Sequence, residues 1–143
     1  KIDCHLLIVG DGPKRPEIEQ EISNYGLNEN IYLLGRYFEP LDLINLADLF
    51  VLSSDFEGFG LVIVEALSLG KTVVSTNCKS GPEEILGDNE YGYLCEVNNP
   101  KDLAEKIKYA INNKIDEKIL VHRAKDFSVE KIGVKYESIF NQK

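Results

Sequence analysis

Short apolar runs alternate along the chain with longer stretches in which apolar residues recur every three or four positions. The runs predict strands, and the longer stretches predict helices. The predicted strands are 5–9, 30–34, 49–52, 72–75 and 93–95. The predicted helices are 14–25, 40–47, 61–69, 83–86, 100–113, 116–124 and 128–141. The first run, from His5 to Val9, is apolar enough to predict a buried strand.

Strands of continuous apolar character that alternate with helices are typical of a parallel sheet covered by helices on both faces. We therefore predict an α/β fold with a doubly wound parallel sheet, Rossmann-like in class. In such sheets, ligands bind in the crevice beyond the carboxyl ends of the strands. Four loops follow predicted strands and are candidate binding loops: 10–13, 35–39, 53–60 and 76–82.

Composition narrows the classes of function. The 143 residues favour one domain spanning 1–143, and the net charge of −8 argues against a nucleic-acid partner. No apolar run is long enough to predict a transmembrane segment. The three cysteines are widely spaced and the chain has only two histidines, so neither a disulfide scaffold nor a zinc site is expected, and a reducing compartment is favoured. The chain has no methionine, even at position 1, and we interpret it as part of a longer protein, truncated at its amino-terminal end.

The loop 53–60 is the most informative of the four, because it leads directly into the helix predicted at 61–69. Gly58 and Gly60 bracket the start of that helix, where glycines let a ligand approach the backbone closely. The free N–H groups and the helix dipole favour an anion there, typically phosphate. From these residues alone, the alternative that the glycines only shape a turn stays open.

Two glutamates accompany this helix start. Glu65 and Ser68 are the only polar residues between Leu61 and Leu69, so the helix is expected to be buried and Glu65 to need a partner. Glu57 lies eight residues earlier. Two carboxylates at one strand end suit a ligand with several hydroxyls, or a general acid/base pair as in glycosidases. Because one of them lies beside a phosphate-type helix start, a nucleotide diphosphate-sugar fits better; a solvated Glu65 is the alternative.

The segment EGFGLVIVEA at 57–66 resembles the E-x7-E signature of retaining glycosyltransferases with two Rossmann-like domains, the GT-B fold. It is most similar to family 4, whose bacterial members build polysaccharides and lipid-linked glycans. Further segments that resemble this family are 7–13, 31–37, 47–54, 70–75 and 80–85. The resemblance covers essentially the whole chain and implies the carboxy-terminal, donor-binding half of such an enzyme.

The resemblance also implies residue roles. Glu57 would be the catalytic position, in contact with the hydroxyls of the donor sugar, and Glu65 would bind the ribose hydroxyls. The other donor-binding residues that it implies are Gly58, Phe59, Gly60 and Leu61 near the sugar and diphosphate, and Gly35, Arg36 and Tyr37 near the base. The loop 80–85 either only starts a helix or also approaches the donor sugar, and both interpretations stay open.

The implied substrate is a UDP- or GDP-sugar, from which a hexose or N-acetylhexosamine passes to a glycan or lipid-linked acceptor held by a domain that this chain lacks. The implied location is the cytoplasm, including the inner face of the membrane, to which the parent enzyme would bind peripherally. No cofactor is expected, since the nucleotide-sugar is the substrate. No metal is expected either, because no DxD-type acidic cluster follows a strand.

The chain departs from the family at its front. The Arg and Lys that clamp the diphosphate in this family have no counterpart, so we expect the isolated chain to transfer no sugar. The segment GDGP at 10–13 is only a partial dinucleotide motif, because Arg15 stands where the third glycine would be. A non-catalytic nucleotide-binding or protein-interaction module on the same fold is the main alternative, and a sugar-nucleotide epimerase is a weaker one.

Overall fold

The computed structural model describes residues 4–140, in which strands and helices alternate. The strands are β1 (Leu6–Val9), β2 (Ile31–Gly35), β3 (Phe50–Leu52), β4 (Val73–Thr76) and β5 (Tyr93–Cys95). The helices are α1 (Arg15–Asn24), α2 (Pro40–Leu46), α3 (Leu61–Ser68), α4 (Pro82–Leu86), α5 (Pro100–Asn112), α6 (Glu117–Ala124) and α7 (Val129–Phe140). A short 3₁₀ helix, Lys125–Phe127, connects α6 to α7.

The predicted order of elements is confirmed, and the ends that lie within the described residues differ from their predicted positions by at most one residue. Capping residues explain where two of the helices start. Asn99 accepts a hydrogen bond from the Asp102 N–H at the start of α5, and Asp116 accepts one from the Lys118 N–H at the start of α6. The predicted end of the last helix, residue 141, lies outside the described residues.

The chain divides into two compact units, Lys1–Pro40 and Leu41–Lys143. In the first unit, β1 and β2 pair in parallel, with Leu6 opposite Ile31. In the second unit, the strand order is β3-β4-β5, and both pairs are parallel. The parallel α/β class is therefore confirmed, with hydrogen-bonded strands in two sheets, one in each unit.

The core of the second unit surrounds β4, its central strand. All four residues of β4 are buried, because strands flank it on both sides and helices cover it. The fully buried side chains packed there come from three helices as well, α3, α4 and α6, and include Ile63, Leu67, Ile85, Leu86 and Leu120. Each such side chain stabilises the fold by about 1.5–3 kcal/mol relative to an exposed position.

The expectation that 5–9 forms a buried strand is wrong. Leu7 and Val9 of β1 are 44% and 42% exposed. Among the described residues of this unit, α1 is the helix that covers the sheet, and it lies on the other side, where Ile22 lines a groove together with Ile8 and Ile31. Because side chains alternate along a strand, one covering helix leaves Leu7 and Val9 open.

Candidate functional site

The loops that follow β3 and β4 are tied together where the two strands end. The Thr76 hydroxyl donates a hydrogen bond of 2.5 Å to the carbonyl of Ser54, in the loop after β3. The Asn77 N–H donates one of 2.7 Å to the carbonyl of Cys95 at the end of β5. These bonds hold the loops at the carboxyl edge of the sheet, the edge where ligands bind in parallel α/β folds.

Gly60 forms the start of α3 in a conformation that favours glycine. Its φ is +86°, and an added Cβ would lie 3.2 Å from Cδ1 of Ile63. No side chain caps the helix, and the Gly60 carbonyl accepts a bond of 2.8 Å from the Ile63 N–H. Gly58 differs, since a Cβ there would meet open space. Of the two predicted glycines, only Gly60 is required by its backbone conformation and by its surroundings.

The expectation of a buried Glu65 is wrong, because this side chain is exposed. Glu65 lies one turn after Leu61, which is 67% exposed, and they form an open face of α3. The buried residues Ile63, Ala66 and Leu67 lie on the opposite face and supply the packing. The apolar sequence therefore buries only one side of the helix and presents the Glu65 carboxylate to solvent.

Both predicted carboxylates have unused acceptor capacity. Glu57 lies half-buried in the loop before α3, and Glu65 is exposed on the helix. Within residues 4–140, neither carboxylate forms a hydrogen bond or an ion pair with a side chain or a backbone N–H of the protein. A carboxylate offers about four acceptor positions, so each of these groups can receive hydroxyl groups from a ligand.

The loop before α4 packs on the backbone of the predicted donor loop. Gly81 has a φ of +93°, and an added Cβ would lie 1.7 Å from the carbonyl oxygen of Phe59. Only a residue without a side chain allows this contact. The structure thus brings the loop 80–85, whose role the sequence left open, against one of the predicted donor-binding residues.

A polar groove of about 590 Å³ lies on this loop. Its lining includes the ammonium-bearing Lys79 and the carboxylate-bearing Glu83 and Glu84, but neither Glu57 nor Glu65. The groove therefore adds a mixed-charge surface next to the predicted donor loop without containing the predicted carboxylates.

The residues predicted near the base belong to the first unit. Gly35 ends β2 with a φ of +68°, and its carbonyl accepts a 2.7 Å bond from the Gly10 N–H. Arg36 and Tyr37 follow it and are both exposed. This bond fixes the loops after β1 and β2 to each other within the unit.

Two other cationic side chains of the first unit, Lys14 and Arg15, already have partners within the unit. Arg15 donates to the carboxylate of Glu19 at 2.8 Å and to the carbonyl of Leu33 at 3.2 Å. Lys14 pairs with Glu17 at 2.8 Å.

Across residues 4–140, no cluster of three or more His, Cys, Asp and Glu side chains is arranged to hold a metal ion. That no metal takes part stays a prediction.

Two residues that the sequence did not predict, Arg123 and Phe127, contact α4 and the donor loop. Arg123 donates hydrogen bonds to the carbonyls of Glu84 and Ile85 in α4. The Phe127 ring packs on the Phe59 ring at 5.6 Å between centroids. Both contacts join residues that lie far apart along the chain, so the local pattern gave no signal of either contact.

Comparison with known proteins assigns the family. The model of the family "Glycosyl transferases group 1" matches residues 1–127. The chain belongs to this family. No helix among the described residues of this glycosyltransferase domain has the length and apolar character needed to cross a membrane.

Two curated relatives and one solved structure illustrate the likeness. N-acetyl-alpha-D-glucosaminyl L-malate synthase of Bacillus anthracis is 31% identical over 98% of this chain and 38% of its own length. Poly(ribitol-phosphate) alpha-N-acetylglucosaminyltransferase of Staphylococcus aureus is 32% identical over 94% of this chain and 28% of its own length. HepE of Anabaena, solved in complex with UDP, aligns with a TM-score of 0.84 at 25% identity, over 98% of this chain and 41% of its own.

These likenesses confirm the predicted family 4-type GT-B glycosyltransferase and its Rossmann-like carboxy-terminal domain. The chain spans less than half the length of each of these three proteins. The individual site residues, and the extent of the domain over 1–143, stay predictions.

Proposed function

We propose that this chain binds the donor of a retaining glycosyltransferase, which transfers a hexose or N-acetylhexosamine from a UDP- or GDP-sugar to a glycan or lipid-linked acceptor. The reaction would serve polysaccharide or glycoconjugate synthesis, in the cytoplasm or at the inner face of the membrane. Transfer itself would require a second domain to hold the acceptor.

The start of α3 carries the proposal. Gly60 leaves the helix N-terminus uncapped by any side chain, and Glu65 extends from the open face one turn further on. The first feature suits a diphosphate and the second suits ribose hydroxyls. The same two groups make up the backbone of a nucleoside diphosphate, and the relative HepE was solved with UDP.

The remaining roles follow the chemistry of the donor. Glu57, with its free acceptor oxygens, would bind hydroxyls of the transferred sugar, and the backbone of Gly58 to Leu61 would lie along the sugar and diphosphate. Gly35, Arg36 and Tyr37 would contact the base. The positive end of the α3 dipole would stabilise negative charge on the departing diphosphate, an effect that grows as the bond to the sugar breaks.

Ligand-detected NMR on the 143-residue chain tests this function. The probes are UDP, GDP, UDP-glucose, UDP-N-acetylglucosamine and GDP-mannose. We expect saturation transfer to one base and its ribose. Glu65→Gln should weaken binding by about tenfold or more, because a hydrogen bond to a charged group contributes roughly 1.5–3 kcal/mol. Glu105→Gln is the matched control, since Glu105 is an exposed helix residue on α5.

The outcomes separate the candidates. Binding of one nucleotide class that Glu65→Gln weakens and Glu105→Gln does not would support the donor site. Equal effects of the two substitutions would contradict the role of Glu65. If the chain binds none of the probes, repeating the screen on the full-length protein distinguishes a missing diphosphate clamp from a non-catalytic module on this fold. Sugar transfer by the 143-residue chain alone would contradict the expectation that it is inactive.

A further inference from the structure

The corner between α6 and the 3₁₀ helix encloses one arginine side chain. The Arg123 guanidinium lies between two aromatic rings, 4.8 Å from the centroid of Tyr91 and 4.8 Å from that of Phe127. Its Nη1 donates to the carboxylate of Asp126 at 3.1 Å. A cation held between two ring faces and a carboxylate has little freedom to reorient.

Two further donors of this guanidinium bind the backbone of α4. Nε donates to the carbonyl of Ile85 at 2.9 Å, and Nη2 donates to the carbonyl of Glu84 at 2.6 Å. The last carbonyls of a helix have no partner within the helix. Since α4 has only five residues, this single side chain satisfies a large share of the carbonyls at its end.

The other end of α4 leads to the donor loop. Gly81, the residue before α4, makes backbone contact with Phe59, and the Phe59 ring packs on Phe127 at 5.6 Å and an interplanar angle of 63°. Two sets of contacts therefore connect this corner to the donor loop. Arg123 holds α4, whose start touches the Phe59 backbone, and Phe127 holds the Phe59 ring.

We propose that Arg123 and Phe127 are positioning residues for the donor-binding loop. They set the position of the Phe59–Gly60 backbone, and hence the approach of the sugar and diphosphate, without touching the donor. This inference rests on the proposed function and adds two residues to it that lie more than 50 positions from the loop along the chain.

The chemistry of the corner predicts a graded series of variants. Arg123→Lys keeps the charge between the rings but cannot bind both α4 carbonyls with the geometry of a planar fork. Arg123→Gln removes the charge as well. Phe127→Leu keeps an apolar contact with Phe59 but loses the edge-to-face packing. We expect the donor Kd to rise about threefold for Phe127→Leu and Arg123→Lys, and at least tenfold for Arg123→Gln.

Two readouts on the 143-residue chain separate positioning from general stability. The first is the Kd of the nucleotide-sugar that the NMR screen selects. The second is amide hydrogen exchange at Ile63 and Ile85, whose N–H groups donate 2.8 Å bonds to the carbonyls of Gly60 and Gly81, relative to exchange at buried β4. Thr72→Val is the matched control: the Thr72 side chain accepts a 3.0 Å bond from the Ile115 N–H, so its loss destabilises the same unit by a different contact.

The inference holds if Arg123→Gln raises exchange at these two amides, which report on the donor loop and the loop before α4, at least fivefold more than at β4, and Thr72→Val raises both alike. It is overturned if Arg123→Gln changes loop and β4 exchange in the same proportion, or if it leaves the donor Kd unchanged. Because exchange needs no ligand, it tests the positioning of the loop even in a chain that binds no nucleotide-sugar.

Discussion

At the scale of single residues, the site depends on two glycines with positive φ. Gly60 starts α3, and Gly81 allows the loop before α4 to touch the backbone of Phe59. Gly58 lies in the same loop as Gly60, but a Cβ added to it would meet open space. Sequence spacing drew attention to Gly58 and Gly60 equally, because a glycine that is required and one that is merely permitted look alike in a sequence.

This difference gives a matched pair of substitutions. Gly81→Ala should lower the free energy of unfolding by roughly 2–4 kcal/mol, since it adds backbone strain to a collision with the Phe59 carbonyl. Gly58→Ala should change it by no more than about 0.5 kcal/mol. Urea unfolding of both variants measures the two values. Equal effects would show that the Gly81 backbone does not press on Phe59 in solution.

At the scale of elements, helix burial was the weakest part of the sequence interpretation. The bounds of α3 were predictable from the local pattern to within one residue. Which of its faces would be covered was not, because Glu65 and Leu61 are exposed only as a result of how α3 packs in the second unit. Arg123 was missed for the same reason: its partners in α4 are 38 and 39 residues away.

The junction between the 3₁₀ helix and α7 makes stability depend on pH. Hydrogen bonding to Lys131, at 2.7 Å, and then to Arg123 lowers the pKa of Asp126. A lowered pKa stabilises the fold above the unfolded-state value of about 3.9, and this stabilisation is lost as the pH falls through the pKa of the folded state.

Asp126→Asn should therefore destabilise the protein at pH 7 and much less at pH 3. Urea unfolding of both proteins across this range measures the difference. Asp55→Asn, at an exposed loop position, is the control and should change the free energy of unfolding little at either pH. If the free energies of unfolding of wild type and Asp126→Asn differ by the same amount at pH 7 and at pH 3, the role of the carboxylate is contradicted.

At the scale of the whole molecule, the order of strands and helices was predictable almost completely. An apolar run marks each strand, and the local pattern of apolar residues marks each helix. The pairing of β3, β4 and β5 into one sheet and of β1 with β2 into another was not predictable, because hydrogen bonding between strands is non-local. The family resemblance supplied the prediction of a nucleotide-sugar, because periodicity and charge alone left the ligand open between a sugar-nucleotide and other hydroxyl-rich ligands.

Thiol labelling provides a test of the whole fold. Cys4 is exposed, whereas Cys78 and Cys95 are buried, and burial raises the pKa of the Cys95 thiol. We expect one rapidly labelled cysteine at pH 8 in the native protein, and three in urea, counted by mass spectrometry. Rapid labelling of Cys95 without denaturant would show that β5 is not packed as described.

The open side of β1 has a consequence for handling the protein. Leu7 and Val9 present apolar surface to solvent, together with Tyr32 and Leu34 of β2 at 42% and 38% exposure. Copies of a chain with a net charge of −8 repel one another at pH 7, but this repulsion disappears near the isoelectric point of about 4.8 and weakens as added salt screens it. Colloidal stability should thus be greatest in dilute buffer at neutral or higher pH, and the chain should precipitate most readily near pH 5 in concentrated salt.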